Sequence, residues 1–418
     1  MRTPRIVLFT LLTCILSTSS SRGDEPQFTW GGDIRARIVD FHRIPTEKGG
    51  MPPENRFLRV RSRLQGAYRF TPDVAFQARL TNEWREYDSD KGRNDYQAMD
   101  EFIVDNFFLD AGKLCGGRLD LRIGRQDLRY GTGKIISEGT PLDSSRAYYF
   151  NAIKARITLS PQLLIDLLGI ANANEDEFAI HRENRELFEG DENGGGIYVI
   201  NNRTAALRQE YYYIFKHEVR QSSLDLHTWG MRFTPRFSAA LSANLELALQ
   251  DGNRDNGNNV DSQLLDLSLF YALPLRQSRR PVVELSYYFL SGDDPDSSTE
   301  EGWHPVWARA PHYLSYIIPR ALMPDFASWS NLSMPSIGLS SAVTDNLSCQ
   351  LRLAKVYASE KGLDGGTEKG TLFISRFTYT INKKWDGALH VEVMDPDSYY
   401  RTVNHYAHYA HLELMYHF

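Results

Sequence analysis

Cysteine is almost absent from this chain: three occur in 418 residues, and only Cys115 and Cys349 lie beyond Cys14. At most one disulfide can join them, so cross-links are not a major stabiliser, and the pair reads equally well as two buried small residues. Long apolar runs are also missing. The longest, Ile6 to Leu16, is shorter than the roughly 20 residues that a membrane-crossing helix needs, so no transmembrane helix is expected. Sustained i, i+3, i+4, i+7 periodicity is lacking as well, which excludes a helical protein. A surplus of positive charge is lacking too. The whole chain stands at −6, and losing Arg2, Arg5 and Arg22 with a leader would take it to −9, so nucleic acid is not expected as a partner. No G-x-S-x-G, H-E-x-x-H or phosphate-cradling loop occurs; no catalytic residue, metal ligand or cofactor is expected.

The leader is read from Met1 to about Gly23, where Arg2 and Arg5 precede the apolar stretch and Ser17 to Ser21 follow it, the layout of a secretory signal peptide. Lipidation of Cys14 is disfavoured, because Thr13 stands where a small glycine or alanine usually precedes the modified cysteine.

What the chain does have is period-two alternation along its whole length. Leu58, Val60, Leu64, Tyr68 and Phe70 share one parity, and Arg59, Arg61, Arg63, Gln65 and Arg69 the other. The pattern recurs over Val74–Leu80, Leu241–Leu249 and Val283–Phe289. Each run is about ten residues, the length of a tilted bilayer-crossing strand, whereas strands of ordinary sheets have a mode of about 5–6. A mean hydropathy of −0.43 does not contradict this. A membrane barrel averages its lipid-facing band with polar lumen and loop residues. Aromatics at 12 % suit interfacial girdles.

Connections alternate in length. Tight ones fall at Thr71-Pro72, Ser160-Pro161, Asn201–Ala205, Thr234-Pro235, Thr344–Asn346 and Asn382–Asp386, with slightly longer ones at Asp110–Gly117 and Ala272–Pro281. Larger polar loops intervene, among them Asp40–Asn55, Tyr87–Ala98, Tyr130–Arg146, Asn174–Gly194, Ser291–Ser328 and Met394–Val403. This is the asymmetry of short periplasmic turns and long outer loops. The count is eighteen strands, Ile197–Asn201 being the shortest, and a barrel of about 16–18 strands leaves an aqueous channel. Ala410, Leu412, Leu414, Tyr416 and the last residue, Phe418, share one parity, which resembles the terminal assembly signal of outer-membrane proteins. The fold expected is therefore an all-β transmembrane antiparallel barrel. It would lie in the outer membrane of a Gram-negative-type bacterium, among lipid and lipopolysaccharide, and be inserted by the barrel assembly machinery.

Lumen parity in the early strands is basic: Arg35, Arg37, Arg59, Arg61, Arg63, Arg79, Arg122, Lys154 and Arg156. On the lipid face an arginine near the midplane costs about 2–4 kcal/mol, and a ring of Arg or Lys in a pore selects anions. Leu119, Leu121 and Ile123 are odd while Leu128 is even. A β-bulge at Gly124 would supply that slip and turn Arg125, Asp127 and Arg129 toward the lumen. Glu83, Asp120, Glu210, Glu246, Asp266, Glu284, Glu392 and Glu413 also reach the lumen and could pair with the arginines.

The segment Gly124-Arg-Gln-Asp-Leu-Arg-Tyr-Gly131, followed by Gly139–Arg146 and Phe150–Ile153, resembles the central motif of the alginate export family of outer-membrane porins. The Arg59–Leu64 strand resembles that family's Arg-rich second strand, and the likeness runs from about Phe28 to Phe418. It implies a monomeric barrel passing an anionic polysaccharide, with substrate contacts at Arg59, Arg61, Arg63, Arg125, Arg129, Arg156, Arg352 and Arg376. The sequence offers no counterpart of that family's long periplasmic loop. A general porin for other solutes is the alternative.

Rival chemistries are weaker. His405, His408 and His411 step by three, and on a strand His408 faces away from the other two. Asp251, Asn253 and Asp255 resemble the start of a calcium loop, but Gly257 falls one position late and position twelve is Ser262. Asp143, Ser144 and His181 could supply an enzyme triad, with nothing fixing their geometry, and a surface carbohydrate-binding β protein would carry no conductance.

Overall fold

A computed structural model describes residues 27–45, 55–87, 101–138, 149–176, 178–181, 190–275, 279–308, 315–318, 330–362, 365–400 and 405–418. The leader at 1–23, the motif piece Gly139–Arg146 and, within it, Asp143 and Ser144 lie outside them, as does the side chain of His181.

Alternating apolar residues build the wall. Its strands are β1 (Gln27–His42), β2 (Asn55–Thr71), β3 (Val74–Tyr87), β4 (Glu101–Lys113) and β5 (Leu119–Gln126). A two-residue ribbon, β6 (Leu128–Arg129) with β7 (Ser137–Glu138), forms a separate sheet. The wall resumes with β8 (Phe150–Ser160) and β9 (Leu163–Asn172), followed by the short β10 (Ala179–His181). Next come β11 (Asp191–Thr204), β12 (Leu207–Val219), β13 (Leu224–Pro235), β14 (Leu241–Arg254), β15 (Asn259–Ala272), β16 (Val282–Leu290) and the short β17 (Thr299–Glu300). The last are β18 (Leu332–Ala342), β19 (Leu347–Tyr357), β20 (Glu368–Asn382), β21 (Trp385–Pro396) and β22 (Ala407–His417).

Among the described residues twenty strands join one sheet; β10 and β17 are accessory, leaving a closed wall of 18 antiparallel strands. β22 returns to β1 in a register from Asp33 opposite His417 to His42 opposite His408. Closure pairs every edge, the condition under which strands can leave water without orphaned backbone groups. Phe418 secures the seam: its N–H donates to Gly32 O and its carbonyl accepts from Gly32 N–H, each at 3.1 Å. Its ring lies 6.2 Å from Trp30 and 6.1 Å from Tyr416.

Parity sorts the faces as the alternation predicts. Leu64, Phe70, Ile153, Leu249, Leu285, Ile337, Leu353 and Leu412 are exposed outside, while Arg35, Arg61, Glu210, Asp266 and Glu413 are buried inside. So large an apolar exterior is foreign to a soluble monomer. Phe28, Trp30, Phe70, Phe237, Tyr271, Tyr379 and Trp385 stand exposed toward the short-turn rim. Both cysteines are free, Cys115 on an exposed turn and Cys349 within β19, so the one possible disulfide does not form.

One strand departs from expectation. Ile197–Asn201 is part of a 14-residue strand, β11, which takes in Gly194, the last residue of the expected loop, together with Gly195 and Gly196. They are ladder positions: a Cβ on Gly194 would lie 2.1 Å from Phe215 O and 3.0 Å from the Trp307 ring. Gly194 lets an inner segment press against the wall.

Candidate functional site

β5 stops at Gln126, opposite Phe150, and the chain then leaves the wall. The vacated place beside β4 is taken by β10, with Ala179 opposite Ile103 and Val104 N–H donating to Phe178 O at 3.3 Å. Arg125 seals this seam. It donates to Asp176 at 2.9 Å, Val104 O at 2.9 Å and Asn151 at 3.1 Å, and its guanidinium lies 3.5 Å from the Tyr149 ring centre and 4.4 Å from that of Phe178. The expected bulge at Gly124 is absent: pairing runs unbroken through it on both sides, with φ at 125° and Phe107 O where a Cβ would sit. Arg125 therefore stays on the parity of Phe107, which faces outward, and is 2 % exposed. The parity change falls where the chain turns inward, one step after Gln126.

Residues 127–129, expected as the end of a strand, and 130–138, expected in an outer loop, instead fold into the lumen around the β6–β7 ribbon. Three acids on three strands hold it. Tyr130 donates to Asp166 of β9 at 2.8 Å, Thr132 donates to Glu246 of β14 at 3.0 Å, and the Lys134 ammonium pairs with Asp266 of β15. Burial first, and Asp166 second, raise the Tyr130 hydroxyl well above the usual phenol range, which keeps it a donor. Gly131 and Gly133 supply the positive φ values, 55° and 84°, of the tight tip.

A second inward segment, hereafter the strap, comes from the connection between β16 and β18. Gln250 holds it at His304, donating to His304 O at 2.8 Å and accepting from His304 N–H at 3.1 Å. At Trp307, fully buried, it meets the ribbon: Trp307 N–H donates to Ile135 O at 3.0 Å and Ser137 N–H to Trp307 O at 2.9 Å. Farther along, Glu392 of β21 clasps it, accepting from Ser315 Oγ at 2.6 Å, from Ile317 N–H at 3.1 Å and from Tyr316 N–H, while His390 Nε2 lies 2.8 Å away. The Tyr316 ring stacks on Tyr409 at 4.3 Å. Ribbon and strap thus join into one bridge across the lumen.

The arginine ladder lies beside that bridge. Register sets Arg37, Arg59 and Arg85 in one row and Arg35, Arg61 and Glu83 in the next. Arg37 pairs with Glu413, Arg59 with Glu83 at 3.0 Å, and Arg61 and Arg63 share Asp33. Arg35 and Arg37 are 1 % exposed and Arg61 2 %; Arg59 and Arg63 keep partial access to the lumen. Arg156 grips Asp166 at 2.7 and 2.8 Å, and Arg352 reaches Glu284 at 2.6 Å, Ser286 at 2.8 Å and Ser336 at 2.7 Å. Arg129 is exposed and donates to Thr132 O at 3.2 Å. Arg376, opposite Gln350 and His390, has no acidic partner among the described residues. Sequence reasoning missed Asp166, Lys134, Trp307 and the clasp at Glu392; Gly194, which faces Trp307, was a local signal. His411 is buried inside, whereas His408 lies by His42 and Asp40.

Among the described residues, lumen cavities open toward the short turns, one of about 730 Å³ against β11–β19, lined by Lys134, Arg208, Arg232, Arg236 and Arg352, and another of about 370 Å³ lined by Arg79, Arg122 and Asp127.

No protein-family model matches the sequence, and no curated protein matches it. Solved structures do. Acinetobacter baumannii OccAB1 superposes with a TM-score of 0.62 at 11 % identity, covering 96 % of this chain and 99 % of that one. Pseudomonas aeruginosa OccK11 (OpdR) gives 0.56 at 14 %, covering 94 % and 97 %. Pseudomonas aeruginosa OccK2 (OpdF), solved in complex with glucuronate, gives 0.59 at 12 %, covering 93 % and 97 %. These are 18-strand outer-membrane porins, and at such identities the likeness is one of fold.

Proposed function

We propose that this chain is an outer-membrane channel, not an enzyme, through which small anionic solutes diffuse. The observation that carries the reading is the bridge across the lumen: Trp307 N–H to Ile135 O at 3.0 Å and Ser137 N–H to Trp307 O at 2.9 Å, inside a wall with an apolar exterior. A barrel of this size is wide enough for water without such a device; narrowing it makes sense where passage must be selective. Arg59, Arg63, Arg129 and Arg376 keep access to the lumen, and cations lining a pore favour anions.

This reading keeps the anion chemistry of the sequence and changes the cargo from polymer to small solute. A polysaccharide handed along Arg59, Arg61 and Arg63 requires three accessible guanidiniums. Arg61 is buried beside Asp33, and Tyr316 of the strap covers Arg37, which lies opposite Arg59. The resemblance of Gly124–Gly131 to the alginate exporters bears on the uronate class, and the glucuronate bound to OccK2 (OpdF) supports the same class in monomeric form. Swelling of proteoliposomes tests the choice. Monomeric uronates are expected to enter faster than neutral sugars of equal size, and uronate chains beyond a few units are expected to be excluded. Entry of long chains at the monomer's rate restores the polymer reading, and no swelling with any solute refutes the channel.

A further inference from the structure

The larger cavity has a chemistry that the arginine ladder lacks. Its inner floor, between β12 and β16, is made of small hydroxyl and amide side chains: Thr234, Ser242, Asn244, Ser268 and Ser286. At its β12–β13 corner the charges do not balance. Glu210 serves two guanidiniums, that of Arg208 at 2.5 Å and that of Arg232 at 2.9 Å, and Arg236 has no acidic partner among the described residues. Register sets Glu246 and Asp266 in the same row as Glu210 and Arg232; Asp266 pairs with Lys134, and Glu246, opposite Arg232, accepts from the hydroxyls of Thr132 and Tyr212. With Lys134 paired to Asp266 and Glu246 set opposite Arg232, the corner carries one positive charge in excess, and Arg208 and Arg236 are its exposed members.

Register places the two arginines close together. Arg208 is opposite Thr234, and Arg236 follows Thr234 by two residues on the same face, so they are diagonal neighbours with Cα atoms about 7–8 Å apart. Two guanidiniums at that spacing converge on one compact dianion through paired N–H donors. A dicarboxylate would spread its charges, whereas a phosphate monoester carries both on one centre. The hydroxyl and amide floor beside them offers both donors and acceptors, suited to hydroxyl groups and unsuited to an apolar tail.

We propose that this corner of the lumen is a binding site for the phosphate monoester of a small polyol. Arg208 and Arg236 hold the phosphate, and Thr234 and Ser242 take the hydroxyls. The site rests on the channel reading only for how the solute arrives; binding to the detergent-solubilised barrel is independent of it.

Calorimetric titration at fixed ionic strength tests the site with inorganic phosphate, glycerol 3-phosphate, acetate and glycerol as probes. Phosphate is expected to bind at least tenfold more tightly than acetate, glycerol 3-phosphate more tightly than phosphate, and glycerol not measurably. R208A and R236A are each expected to weaken both phosphates about tenfold, and Arg236→Lys less. Thr234→Val is expected to weaken glycerol 3-phosphate while sparing phosphate. Heat-modifiable mobility in detergent gels checks that each variant is a folded barrel, and the wild-type comparison stands without them. Phosphate binding no tighter than acetate, or indifference to both arginine substitutions, overturns the site. A barrel that conducts anions yet ignores phosphate leaves the channel reading standing, and one that binds phosphate yet never conducts leaves the site standing without it.

Discussion

Arg125 is the residue whose role changed most between sequence and structure. It reads as a pore cation, and it is a staple, held between two aromatic rings and Asp176 where β5 abandons the wall. Removing one partner of a buried pair strands the other, at about 3–5 kcal/mol. Arg125→Ala is therefore expected to lower the temperature of heat-induced unfolding in detergent and to leave ion selectivity unchanged, while Arg129→Ala, at an exposed site, does the reverse. A selectivity change in Arg125→Ala without loss of stability contradicts the staple. His304 makes a second residue-scale prediction. Burial, and then Arg254, lower it from 6.5 to about 4, against a smaller opposing pull from Glu300. The unfolded chain binds the proton first as pH falls, so stability present above about 6.5 is lost on the way down to 4. Fluorescence of the neighbouring Trp303 and Trp307 should report loosening of the strap across that window. His304→Gln should flatten the response there.

At the scale of the elements, the strap is held at a few named points. Glu392 accepts three hydrogen bonds from it inside a buried pocket, so losing the carboxylate leaves two backbone N–H groups without their acceptor. Glu392→Ala should raise single-channel conductance and speed proteolysis within the strap, with the wall intact; unchanged conductance together with unchanged protection would show that the strap does not narrow the path. The wall was legible in the sequence, because each residue of a barrel strand makes a binary choice between lipid and lumen that repeats every two positions. Leu64 and Arg61 record that choice directly. The ribbon and strap were not legible: their place depends on Asp166, Glu246, Asp266 and Glu392, which lie far from them in sequence and look like any other lumen acids. Gly194 was misread for the same reason, since its small size answers to Trp307 more than a hundred residues later.

For the whole molecule, closure and content are separate questions. Closure depends on the β1–β22 seam, where Phe418 exchanges two backbone hydrogen bonds with Gly32 and packs beside Trp30. Deleting Phe418 should reduce the yield of heat-modifiable barrel in the outer membrane, and an undiminished yield would assign assembly to another signal. Content is the central claim: a bridged lumen whose accessible charge is positive, passing small anions. The most direct measurement is the reversal potential of single channels in a planar bilayer under a salt gradient. Selectivity is expected to favour chloride over potassium at 0.1 M salt and to weaken toward 1 M, as the screening length falls from about 10 Å to about 3 Å. A cation-favouring reversal potential at low salt, or a chain that inserts and never conducts, would contradict it.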